Sequence, residues 1–169
     1  MYIELAELAE QPGAQELAQV ATPRRLPMAK PELLDAMLRE QDLSGWPAGD
    51  IEVATAALDV IVAAVNDAQG YIDGFLARRG YQLPLAKRFG IVTRWARAIT
   101  RYSLHQDRLS GEQNDPIVRD YRDALKFLQL VAEGKFSLGQ DDPLTPPSSG
   151  APAFSKPARV FSHDTLKDF

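Results

Sequence analysis

Apolar residues recur at three- and four-residue spacing along most of this chain. No stretch alternates with the period of two that a half-buried strand requires, so the pattern predicts helices and no sheet. The clearest run spans residues 51–79. At ~100° per residue, Ala54, Leu58, Ile61, Val65, Ala68, Ile72, Phe75 and Leu76 fall in one stripe, which predicts a single long helix. Asp50 is its expected cap and Gly80 its stop. A second helix is expected over 87–108, with Ile91, Val92, Trp95, Ile99 and Tyr102 facing inward. A third is expected over 116–133, with Val118, Tyr121, Leu125, Leu128 and Val131 or Ala132 inside. Asp115 followed by Pro116 supplies a capping carboxylate and a first-turn proline. After the stop at Gly134, Phe136 and Leu138 are placed to fold back onto the helix end.

The first fifty residues give weaker signals. Residues 3–21 read as helix broken in two by Pro12-Gly13, with Leu5, Leu8, Leu17 and Val20 buried. Pro31 opens a short amphipathic helix carrying Leu33, Leu34, Met37 and Leu38, which Ser44-Gly45-Trp46-Pro47 ends. The expected fold is all-α: a small helical bundle of about three main helices plus short N-terminal ones, with an extended C-terminal arm. Three parts follow. Residues 1–138 form the helical bundle domain, 139–157 a flexible Pro/Ser-rich linker, and 158–169 a docking peptide.

Composition narrows the function classes. With 169 residues, 45% of them hydrophobic, the chain can bury one core and carry an appendage. Cysteine is absent, which excludes disulfides and thiolate metal sites. Met1-Tyr2-Ile3-Glu4 begins no signal-peptide pattern, and the apolar stretch 51–65 is interrupted by Glu52 and Asp59, so no membrane segment is expected. A net charge of −4 argues against a general nucleic-acid binder. No phosphate loop, nucleophile elbow or paired metal-ligand spacing occurs, and His105 and His163 lie far apart in sequence. The residues therefore point to no catalytic site, cofactor or metal.

Three features remain. Arg94, Arg97, Arg101 and Arg108 fall on a flank about 60° wide beside the apolar face of the second main helix. They form either a partner-binding ridge or one side of internal ion pairs with acids such as Asp67, Asp73, Asp120 and Asp123. Gly70 and Gly74 sit inside the long helix, where each costs roughly 1 kcal/mol relative to alanine; close helix packing, a slight kink or a subunit contact would explain them. At the C-terminus, a spacer rich in Pro and Ser leads to Arg159, Val160, Phe161, Leu166 and Phe169. Purely solvating tails lack such apolar residues. Either a strand added to a sheet edge through Arg159, Val160 and Phe161, or a helical turn capped by Ser162 that inserts Leu166 and Phe169 into a groove, would use them.

Several stretches in this order resemble a known family. They are Met1-Tyr2-Ile3 with Leu5 and Leu8; Ile72-Asp73-Gly74-Phe75-Leu76 with Arg79-Gly80-Tyr81-Gln82-Leu83-Pro84-Leu85; and Ala98-Ile99-Thr100-Arg101-Tyr102-Ser103-Leu104. Asp120-Tyr121-Arg122-Asp123-Ala124-Leu125, Gly134-Lys135-Phe136-Ser137-Leu138-Gly139 and the closing residues from Arg159 to Lys167 complete the set. Together they resemble the small structural proteins of Mu-like phages and prophages from the head–tail joining region, which are similar to the connector adaptors of tailed-phage necks. The region from Thr22 to Asp50 departs from the shorter members. The resemblance implies a virion neck protein, present in the host cytoplasm during assembly, with no membrane partner. It implies a ring of about twelve copies docked under the portal protein and above a tail-proximal neck protein, through which packaged DNA passes without specific binding. No catalytic residues come with it. A rival reading is a nucleic-acid-binding packaging or regulatory protein that uses the Arg94, Arg97, Arg101 and Arg108 flank.

Overall fold

The computed structural model describes residues 1–108 and 115–139. The linker 140–157 and the peptide 158–169 lie outside the described residues, as does the loop 109–114. Within the described residues every regular element is helical.

Helix α1 spans Leu5–Leu8, and its first turn is closed by a box in which the backbone N–H of Glu4 donates to the Glu7 carboxylate at 2.9 Å. The chain then widens into a π turn over Ala9–Gly13. Pro12 cannot continue the hydrogen-bond ladder, and the break is taken up by an extended Gln11 (φ −151°, ψ 115°) and by Gly13 at φ 103°, which a side chain would disfavour. Helix α2 resumes over Ala14–Ala21. Leu8 and Leu17 are fully buried, whereas Leu5 and Val20 are half-buried. The Thr22 hydroxyl donates to the Ala18 carbonyl (2.6 Å) and accepts from the Ala29 N–H (3.1 Å), pinning both ends of the connector. Helix α3, Pro31–Leu38, starts on its proline and buries Leu33, Leu34 and Leu38. Trp46 is half-buried against the core, with Lys30 Nζ 6.0 Å from the centre of its ring.

Helix α4 spans Ala48–Arg79 and is the spine of the molecule. It begins before the expected cap: Pro47 is the N-cap, and Asp50 lies in the first turn. A carboxylate there favours the positive helix end, and it also pairs with Lys30 at 2.7 Å. The stop is as expected, with Gly80 at φ 95° donating to the carbonyls of Leu76 and Ala77. Helix α5, Gly90–His105, is shorter at both ends than the periodicity predicted and runs on into a 3₁₀ turn, Gln106–Arg108. At its start Arg88 is drawn away to the N-terminal helix, bonding Glu4 at 2.8 Å and also Glu7. The Thr93 hydroxyl donates to the Tyr2 carbonyl at 2.9 Å, and Tyr2 OH donates to Asp73. These bonds tie the first residues across α5 and α4, with Ile3 buried between them in the core.

Helix α6, Pro116–Ala132, starts as its sequence predicted: the Ile117 N–H donates to Asp115 Oδ1 at 2.8 Å. Phe136 folds back against Trp95 and Phe127, with ring centroids 6.3 and 5.5 Å away, and the Leu138 N–H donates to Tyr81 OH at 3.2 Å. Helices α4, α5 and α6 pack on one another, and α2 and α3 close the far side of α4. Ile61, Ile72, Leu76, Val92, Trp95, Leu128 and Val131 are buried in the core these helices share with α2 and α3. Each such side chain contributes roughly 1.5–3 kcal/mol by leaving water. Gly70 and Gly74 are exposed, and a Cβ at either meets nothing within 4 Å. Close packing among the described residues is therefore not their reason.

Candidate functional site

Helices α5 and α6 do not close on each other along their outer faces. Between them runs a groove of about 530 Å³, with Gln11 and Pro12 of the π turn at its rim. The floor is apolar: Trp95, Ala98 and Ala124, with Ile117 beside them. Ile91 and Phe127, 37% and 39% exposed, lie along its length. Ile91 was expected inside the bundle. It lies one residue off the α5 stripe that buries Val92, Trp95 and Ile99, and so it points to the groove. The Trp95 and Phe127 rings stack at 6.3 Å, and Phe136 packs edge-on against both.

The walls carry opposite charge. Helix α5 contributes Arg94, Arg97 and Arg101, and α6 contributes Asp120 and Asp123. Arg94 and Asp123 are exposed and make no ion pair or hydrogen bond among the described residues. Arg97 donates one bond to Gln11 Oε1 at 3.1 Å, while its buried Nε has no acceptor among the described residues. Arg101 is held by Glu16 of α2 through two bonds, Nε at 2.6 Å and Nη2 at 2.7 Å. His105 Nε2 lies 2.9 Å from the same carboxylate. Burial alone would raise the Glu16 pKa, but the bonds from Arg101 and His105 outweigh it and hold the carboxyl below its ordinary value. The same pairing with Glu16 raises the Arg101 pKa.

The arginine flank therefore divides. Arg94, Arg97 and Arg101 share the groove. Arg108 does not join them, because α5 ends at His105 and the following 3₁₀ turn carries Arg108 to the connector beside Thr22, Pro23 and Met28. The acid bonded to Arg101 is Glu16, 85 residues away, while Asp120 acts on it only through its charge, without a bond. Asp73 is instead engaged by Tyr2, and Asp120 faces Arg119 at 3.4 Å. The sequence offers Asp120 and Asp123 only as ion-pair acids and gives Phe127 no role, although their spacing of three and four puts all three on one edge of α6. Arg159, Val160, Phe161, Leu166 and Phe169 lie outside the described residues. Among the described residues no group of His, Asp and Glu is arranged to hold a metal ion, and no helix is long and apolar enough to cross a membrane.

A family model described as "Bacteriophage Mu, Gp36" matches residues 2–156, which takes in every helix of the bundle and stops short of Arg159. The Mu-like prophage FluMu protein gp36 of Haemophilus influenzae is 35% identical over 107 residues, 63% of this chain and 72% of that protein.

Proposed function

The chain belongs to the bacteriophage Mu Gp36 family, and from that premise we propose that it is the head–tail connector adaptor of a Mu-like phage or prophage particle. The observation that carries the reading is the extent of the family match, which includes the whole helical body. The role is structural and not enzymatic. The bundle is the wedge of a closed ring of about twelve copies, packed head-to-tail beneath the portal, as the resemblance implies, with a tail-proximal neck protein below and DNA passing through without specific binding. The protein assembles from the host cytoplasm into the virion neck.

In this reading the body, residues 1–138, supplies the ring, and 139–157 is the linker. Residues 158–169 are the docking peptide, with Arg159, Val160, Phe161, Leu166 and Phe169 as its contacts. Many arms acting from one ring bind with an avidity well above that of one peptide. The arginine flank serves contacts between proteins. Its pairing weighs against the nucleic-acid reading, because Arg101 is neutralised by Glu16 and the wall opposite Arg94 and Arg97 is acidic. Mass in solution, measured with and without purified portal, tests the ring. The expected result is a small species alone and a high-order assembly on portal; a tight dimer indifferent to portal is the opposing result.

A further inference from the structure

The groove between α5 and α6 is open at an apolar floor and bears unpaired charge of both signs on opposite walls. The last residues of the chain carry a matching pattern. Wound as a helix at ~100° per residue, the closing segment would gather Phe161, Leu166 and Phe169 on one face, with Thr165 and Ser162 between them and Val160 on the far side, outside the groove contact. Asp164 and Asp168 would then flank that face on one side, and Arg159 with His163 and Lys167 on the other. An acidic edge meets the Arg94 and Arg97 wall while the basic edge meets Asp120 and Asp123, and the three apolar side chains cover Trp95, Ala98 and Phe127.

We propose that this groove receives residues 158–169 of a second copy of the same chain, so that each subunit's closing helix locks onto its neighbour. The proposal rests on the ring reading above, and it names the receptor and the conformation of the arm. The spacer favours a neighbour over the chain's own groove. The described chain leaves the body beside the groove, where Phe136 touches Trp95 and Phe127, so a return to the same groove needs only a few residues. Residues 139–157 number 19 and include five prolines, and a coil of that length spans about 24 Å on average, more than a return to the same groove requires.

The test is fluorescence anisotropy of a labelled synthetic peptide, residues 158–169, titrated with the full-length protein. Saturable binding is expected. Arg94→Glu and Asp123→Lys together, both at exposed positions, are expected to weaken it by about tenfold or more. A peptide carrying Asp164→Lys and Asp168→Lys with Arg159→Glu and Lys167→Glu is expected to bind the double variant and to lose the unaltered protein. Absence of saturable binding overturns the proposal, and so does binding that ignores both charge reversals. A peptide that binds only a chain ending at residue 157 shows the arm seated in its own groove, which overturns the assignment to a second copy. Should the peptide bind as expected to a protein that never assembles on portal, the groove stands and the neck reading falls; assembly on portal without peptide binding has the reverse meaning.

Discussion

Glu16 shows how a single carboxylate fastens two layers of the bundle. It accepts two bonds from Arg101 and lies against His105, both on α5, while its own backbone belongs to α2. Its pKa is depressed in the folded protein, so the stability it contributes is present above the unfolded value near 4.5 and is lost as pH falls through the lower folded value. Glu16→Gln is expected to cost about 1–2 kcal/mol at neutral pH, allowing for partial exposure, and to flatten the acid limb of a melting-temperature profile. An acid limb unchanged by the substitution would remove Glu16 from that role. Gly134 makes a second prediction at this scale. It sits at φ 75°, and a Cβ there collides with the guanidinium of buried Arg79. Gly134→Ala is therefore expected to destabilise by about 1–2 kcal/mol in chemical denaturation. The Gly134 stop was legible from its position after an apolar stripe. The Glu16 pairing was not, because nothing local in the sequence relates two residues 85 apart.

At the scale of the element, the long helix α4 separates residues that build the core from residues that face outward. Leu128 of α6 is fully buried in the same core, and Leu128→Ala is expected to cost about 2–5 kcal/mol. Gly70 and Gly74 are the opposite case, since both face open space in a regular helix. Alanine at either is expected to raise stability by about 0.5–1 kcal/mol, read from the denaturation midpoint of the isolated chain. A loss would mean that these glycines serve the chain's own packing. Helix content and core stripes were readable because the 3.6-residue period survives over many turns in α4, α5 and α6. The ends were less readable. Pro47 displaced Asp50 as the cap of α4, and α5 begins late because Arg88 and Phe89 are committed to the N-terminal helix and an extended turn. At its other end α5 stops at His105, and the 3₁₀ turn that follows takes Arg108 off the flank where its spacing had put it.

For the whole molecule, the described core, which runs from Ile3 through Val131 with Phe136 and Leu138 packed against it, is built by the helices and the turn that follows α6. Deleting residues 158–169 is expected to leave the melting temperature of the isolated protein nearly unchanged while abolishing its incorporation into particles; a large drop in melting temperature would place that segment in the fold instead. The residue types of the last segment were plain in the sequence, but the groove proposed as its receptor was not, because that groove needs α5 and α6 side by side and opposite charges on the two helices. The adaptor account is tested most directly by electron microscopy of particles made without this protein. It predicts DNA-filled heads and separate, complete tails that fail to join. Intact tailed particles, or heads that never fill, would contradict it.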